Sequence, residues 1–214
     1  MDAAEGDFTE APSQMLQNWV WEEKVLRILG SHYKDGSKIP KNLLRNLIGS
    51  RRAFSGIGYL RDIHYATFDL TIHTRKTVDT IQLEQELTRN ITGIEKINGT
   101  SNGARFTHIG KAPKCPVKEF QFFSFFQVHG YDAGYYGYLW SSVYAQDMYY
   151  TRFATEGIFN PKTGMDYRNT ILKPGGSIDA SVMLRNFLGR EPTNDAFLRT
   201  LGLSEENTDV NKYK

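Results

Sequence analysis

The sequence predicts a mainly α protein. Two observations carry that prediction: apolar residues recur three and four positions apart along much of the chain, and Gly and Pro punctuate those runs. Hydrophobic residues make up 40% and charged residues 23% of the 214 positions, the balance of an ordinary globular chain with enough length for one sizeable core.

The first helix is expected over residues 11–29. Pro12 sits where a first-turn proline is tolerated, Met15, Trp19, Leu26 and Leu29 share a face, and Gly30 supplies a stop. Pro40 opens a second helix with an apolar face of Leu43, Leu44, Leu47 and Ile48. Gly56 and Gly58 then interrupt the pattern. Residues 59–72 mix β-branched and aromatic side chains, which suit helix or strand, and helix is the expectation. A short helix is expected over 83–87 and a polar, Gly-rich loop over 93–103. Gly130 and Gly134 form a pliable entry to a helix that runs to about Phe153. Pro174-Gly-Gly-Ser177 leads into a helix bearing Val182, Met183, Phe187 and Leu188, with Ser177 or Asp179 as N-cap and Gly189 as stop. Pro192 begins a last helix through Leu201, and residues 205–214 form a polar, flexible tail.

A net charge of +2, with no basic run, argues against a nucleic acid or an anionic membrane as partner. The most apolar segment, 120–128, is about half of what a membrane span requires. The opening MDAAEGDFTEAPSQ has neither the basic nor the apolar region of a secretory signal, and the lone Cys115 suits a reducing compartment. The expected location is the cytoplasm, with the mitochondrial matrix as the alternative.

Two segments can carry chemistry. Glu10, in Glu-Ala-Pro-Ser-Gln, reads locally as an acid at a helix N-terminus, with no histidine in helical reach to make a metal site. The second is His129-Gly-Tyr-Asp-Ala-Gly-Tyr-Tyr-Gly-Tyr138. Tyr135 and Tyr138 are three apart and Tyr131 and Tyr135 four apart, so a helix would present them together. Grouped phenol hydroxyls can donate hydrogen bonds to a developing oxyanion, although a tyrosine stripe more often packs than catalyses. His108 and His129 are the histidines near these tyrosines in sequence.

Long stretches of text resemble the thimet oligopeptidase, neurolysin and saccharolysin family of zinc metallopeptidases. They are DFTEAPSQMLQNWVWE, GYDAGYYGYLWSSVYAQDMYYTRF, GMDYRNTILKPGGSIDASVMLRNFLGR and DAFLRTLGL, and the resemblance covers nearly the whole chain. It implies that residues 1–214 are the C-terminal, helical portion of a zincin-type oligopeptidase catalytic domain. It implies hydrolysis of internal bonds in short peptides by a zinc-activated water, in a protein that works as a monomer. In that family a His-Glu-x-x-His helix supplies two zinc ligands and the general base, and the Glu of the EAPSQ segment is the third ligand. Glu10 stands there, with Asp7 one turn ahead as a candidate outer hydrogen-bond acceptor. A histidine and tyrosines of a Gly-rich segment then grip substrate and stabilise the intermediate. This assigns Tyr138 as principal oxyanion donor, His108 as the catalytic histidine, and Tyr131, Tyr135 and His129 as substrate contacts.

Two departures from the family follow. No His-Glu-x-x-His occurs in the 214 residues, so the chain holds one of three zinc ligands and is expected to be inactive alone. Loss of the burial that segment brings would put apolar faces such as Trp19 and Trp21 at risk of exposure. The alternative is a non-catalytic peptide-binding module that keeps the tyrosines. Secondly, residues 110–127 separate His108-Ile109 from Val128-His129-Gly130-Tyr131. Without them the text reads Phe-Thr-His-Ile-Val-His-Gly-Tyr-Asp-Ala, the family spacing. The segment starts Gly-Lys and ends with a Phe-rich run and Gln, as an intron translated in frame would; a genuine loop insertion is the competing reading. In either case His108 is not expected to reach the tyrosines by default, and His129 is the candidate to replace it.

Overall fold

The computed structural model describes residues 5–97, 100, 103, 106–109 and 131–203; His129, the 110–127 segment and the 205–214 tail lie outside them. The described residues are helices, turns and loops, with no strand among them. The chain divides into two compact units, one of residues 1–55 with 140–214 and one of residues 56–139.

In the first unit, helix α1 (Ala11–Leu16) carries its proline in the first turn. The expected single helix over 11–29 does not continue. A 3₁₀ turn, Gln17–Trp21, follows, and extended backbone at Glu22 (φ −87°, ψ 128°) separates it from α2 (Glu23–Leu29). Side-chain demands explain the break. Buried Asn18 donates to the Met15 carbonyl at 3.0 Å and accepts from Arg51 at 2.8 Å. The Trp19 indole N–H donates to the Ile158 carbonyl at 3.1 Å, and its ring meets Tyr149 and Phe153 edge-on at 5.3 and 4.8 Å. Glu22 accepts the Tyr149 hydroxyl. Trp19 is therefore packed against the core rather than exposed, and Trp21 is half-buried beneath Arg51. Exposed apolar side chains include Ile28 and Leu29 on α2, Leu43 on α3 (Lys41–Ser50), and Phe54 at 83%.

The core of this unit gathers Phe8, Ala11 and Met15 with Met148, Tyr149, Phe153, Tyr167, Met183, Leu184 and Phe187. The later residues lie on or after α6 (Gly137–Met148), which widens into a π-turn at Tyr149–Phe153 and runs on as α7 (Ala154–Glu156). Asn160 then caps α8 (Pro161–Tyr167) by accepting from Lys162 N–H at 3.0 Å, and a second π-turn, Arg168–Leu172, completes an element the sequence reading had not expected. Helix α9 (Ala180–Leu188) begins without a side-chain cap, because the Ser177 hydroxyl donates backwards to the Pro174 carbonyl and Asp179 contributes only its backbone. Gly189 (φ 73°) ends it in the left-handed conformation glycine favours. The final helix is α10 (Asp195–Leu201). Buried Asp147 on α6 ties the 190–193 connection down, accepting from Arg190 at 3.0 Å, Thr193 N–H at 2.8 Å and the Thr151 hydroxyl at 2.9 Å.

The second unit is built on α4 (Ser55–Thr74), a twenty-residue helix that settles the helix-or-strand ambiguity and includes Gly56 and Gly58 in its first turns. Two glycines cost a helix about 1 kcal/mol each against alanine, which a long helix with a packed face absorbs. Asp79 caps α5 (Thr80–Leu87), its Oδ1 accepting from Ile81 and Gln82 N–H at 3.0 Å. A π-turn, Thr88–Thr92, extends α5 until Gly93 (φ 70°) stops it. Phe68, Leu83 and Ile109 form the core, flanked by Ile72, Val78, Leu87, Phe106 and Tyr135. Beside them His64, Glu84 and Thr88 are buried polar residues: His64 Nε2 lies 3.1 Å from the Thr88 hydroxyl, and Glu84 pairs with Lys96.

Candidate active site

Of the residues expected to carry chemistry, Glu10 lies in the first unit and His108, Tyr131, Tyr135 and Tyr138 in the second. In the first unit Glu10 is the N-terminal boundary residue of α1, half-buried, with the Ser13 hydroxyl donating to its backbone carbonyl at 2.9 Å and lying 3.2 Å from Oε2. The loop before it is pinned: Phe8 is buried, and the Asp7 carbonyl accepts the Ser141 hydroxyl at 2.6 Å. Glu10 thus sits on an anchored corner. Among the described residues no group of three His, Cys, Asp or Glu side chains comes together as a metal would require. The described residues do not make a zinc site by themselves.

The second unit brings His108 and the three tyrosines together. A 3₁₀ turn, Thr107–Ile109, carries His108, and Ile109 is buried in the core beneath it. The His108 ring lies 6.0 Å from Tyr135 and 6.2 Å from Tyr138, edge-on to both. Tyr138 in turn lies 4.9 Å from Tyr131 and 5.0 Å from Tyr135. His108 therefore does reach the tyrosines, with 110–127 in the chain. The connection is a backbone one, the Tyr131 N–H donating to the His108 carbonyl at 2.9 Å. His129, proposed as its replacement, lies outside the described residues.

The tyrosines do not share a helix face as their spacing suggested. Residues 132–136 form turns, and α6 starts only at Gly137, so of the three Tyr138 alone is helical. Asp69 is the cause. This fully buried residue of α4 accepts from Ala133 N–H through Oδ1 and Tyr135 N–H through Oδ2, both at 2.9 Å. Ala133 is held at φ 58°, a left-handed conformation uncommon for a residue with a Cβ. The strain thus falls on Ala133 rather than on a glycine. At Gly134 a Cβ would meet nothing closer than the Tyr131 carbonyl oxygen at 3.6 Å, ordinary contact.

Tyr135 is the most enclosed of the group. Phe106 meets it edge-on at 4.9 Å and Tyr65 at 5.8 Å. Burial first, then the charge of Asp62, pushes its phenol up to about 12. It remains a protonated hydrogen-bond donor across the neutral range. Burial also holds the Asp62 carboxyl above its usual range, against the pull of Arg61. Sequence reading missed Asp69, Tyr65 and Phe106. The signal available for Asp69 was a lone acid inside the apolar run Thr67-Phe-Asp-Leu-Thr-Ile72.

The arrangement is that of a helical protein presenting a histidine and a tyrosine cluster in one unit and an anchored carboxylate in the other. The sequence profile of Peptidase family M3 matches residues 3–203. Saccharolysin of Saccharomyces cerevisiae is 40% identical over 197 residues, covering 92% of this chain and 26% of its own length. Oligopeptidase A of Haemophilus influenzae is 34% identical, covering 92% and 27%. Thimet-like oligopeptidase of Dictyostelium discoideum is also 34% identical, covering 94% and 28%. The chain belongs to peptidase family M3. It spans about a quarter of the length of the relatives it matches. No described helix is long and apolar enough to cross a membrane.

Proposed function

We propose that this chain is the portion of a zinc oligopeptidase that supplies one zinc ligand, Glu10, and the histidine–tyrosine cluster that handles the peptide. The other two ligands belong to a His-Glu-x-x-His helix that these 214 residues lack, so the polypeptide 1–214 by itself neither holds zinc nor hydrolyses peptides. The observation that carries the reading is the packing of His108, Tyr131, Tyr135 and Tyr138 into one cluster.

Attack on a peptide carbonyl leaves negative charge on its oxygen, and phenol O–H groups aimed at that oxygen lower the barrier. Tyr138 is the principal donor in this proposal. Tyr135, kept protonated by its burial, and Tyr131 contact the peptide, and His108 assists at the same carbonyl. The substrates are short peptides, the working protein is a monomer, and neither nucleic acid nor membrane is a partner. The lone Cys115 fits a cytoplasmic setting.

The test is a chimera in which the yeast relative's polypeptide, through its His-Glu-x-x-His helix, precedes this chain. Tyr138→Phe should lower kcat on a quenched fluorescent peptide by about 100-fold or more, while Tyr135→Phe acts mainly on KM. Unchanged turnover in Tyr138→Phe would remove the catalytic assignment and leave a peptide-binding module.

A further inference from the structure

Asp69 lies outside every segment that the sequence marked for chemistry, yet it is a fully buried acid. A carboxylate out of water is costly unless its oxygens are satisfied, and here both are. Oδ1 accepts from Ala133 N–H and Oδ2 from Tyr135 N–H, each at 2.9 Å. His73, one helical turn further along α4, brings Nδ1 to 2.9 Å from Oδ1 and also from the Asp69 backbone carbonyl. A carbonyl only accepts, so Nδ1 carries the proton and donates to the carbonyl, with Oδ1 within ion-pair distance.

The geometry has a direction. The two amides that converge on Asp69 flank Gly134 and belong to the turn that carries Tyr135 and leads into Tyr138. One of them belongs to Ala133, whose φ of 58° persists only if its surroundings impose it. Without the carboxylate, the N–H groups of 133 and 135 would be free to join regular helix running back from Gly137. That would carry Tyr135 away from its 6.0 Å approach to His108.

We propose that Asp69, steadied by His73, is the positioning residue of the tyrosine cluster: its carboxylate clamps the Ala133 and Tyr135 amides and so fixes where the phenols point. The proposal deepens the oligopeptidase reading, since it names what holds the peptide-handling side chains. The clamp itself can be tested without any catalysis.

The experiment uses the 214-residue chain, uniformly labelled and with ¹³C-labelled tyrosine, comparing wild type with Asp69→Asn. This change keeps the shape but places an NH₂ opposite one of the two amides. The clamp predicts faster hydrogen exchange at Ala133 and Tyr135 with unchanged protection at Phe68 and Leu83. It also predicts that the Tyr135 phenol, at about 12 in the intact loop, titrates closer to an ordinary 10. His73→Gln is the milder second variant; it should shift the Ala133 amide resonance more than that of Tyr135, because His73 and Ala133 share Oδ1. Unaltered exchange and titration in Asp69→Asn would overturn the proposal. If Asp69→Asn unfolds the whole unit, an unmoved Ala133 resonance in His73→Gln would overturn it equally. An intact clamp in a chain whose chimera shows no peptidase activity would count against the oligopeptidase reading alone.

Discussion

The backbone N–H of Tyr131 donates to the carbonyl of His108 at 2.9 Å, so the chain returns after residue 130 to the place it left after residue 109. A histidine and a tyrosine that are 23 positions apart in sequence are thereby neighbours in space, and 110–127 need not be absent for the cluster to form.

Deleting 110–127 leaves Val128-His129-Gly130 to join Ile109 to Tyr131, enough chain for ends that already meet. The His108–Tyr135 and His108–Tyr138 ring contacts should survive, seen as nuclear Overhauser effects between the rings. Shortening the connection from 21 residues to three should raise the unfolding free energy of this unit by at most about 2 kcal/mol through loop-closure entropy. Loss of the ring contacts on deletion would show that the segment helps build the cluster.

His64 supplies a pH dependence. Burial holds its imidazole below the ordinary 6.5, with Lys96 acting in the same direction and Glu84 opposing. The unfolded chain therefore binds this proton more readily than the folded one once pH falls below about 6.5. Stability contributed by neutral His64 is present above that pH and is lost progressively as pH falls. Urea midpoints at pH 7.5 and 5.5 should differ more for wild type than for His64→Gln. Equal slopes would contradict this.

Asp147 tests the fold of the first unit. It is buried, and it accepts from Arg190, Thr193 N–H and Thr151. Asp147→Ala leaves the Thr193 amide and the inner face of Arg190 without their acceptor and should cost about 3 kcal/mol in urea or thermal unfolding. A change under about 0.5 kcal/mol would mean the 190–193 connection is held by packing alone.

Much of the helical plan was legible because apolar spacing and Gly or Pro punctuation act locally. Leu43 to Ile48, Leu83 to Leu87 and Met183 to Leu188 all fall on helices, and Gly189 ends the last of them as expected. The exceptions trace to tertiary demands. Residues 11–29 split because Asn18, Trp19 and Glu22 each have a distant partner. Gly56 and Gly58 stay helical because the helix they begin is long and packed, and the helix from Pro161 was hidden by Gly164 and a polar composition. At the site, the identities of the tyrosines and their grouping could be read, but the turn that groups them could not. Spacing of three and four pointed to a helix face, whereas Asp69, more than sixty positions upstream, folds the stretch into a turn.

Peptide hydrolysis by the chimera should be more sensitive to Asp69→Asn than peptide binding is. Displacing Tyr135 and Tyr138 relative to His108 disturbs alignment, for which misplacement by about 1 Å costs roughly 100-fold in rate. The expected pattern is a large fall in kcat together with a smaller rise in KM from the displaced Tyr135 contact. No change in either would contradict a positioning role.

The proposed metal site is shared between Glu10 and a His-Glu-x-x-His helix outside these 214 residues. Bound zinc and cleavage of a quenched fluorescent peptide, measured for chain 1–214 and for the chimera with that helix, decide whether it is. The short chain should hold no stoichiometric zinc and show no turnover. The chimera should hold one zinc, cleave the peptide, lose activity to a chelator, and lose both metal and activity in Glu10→Gln. Chelator-sensitive cleavage by 1–214 alone, or a Glu10→Gln chimera with full zinc and full activity, would contradict the account.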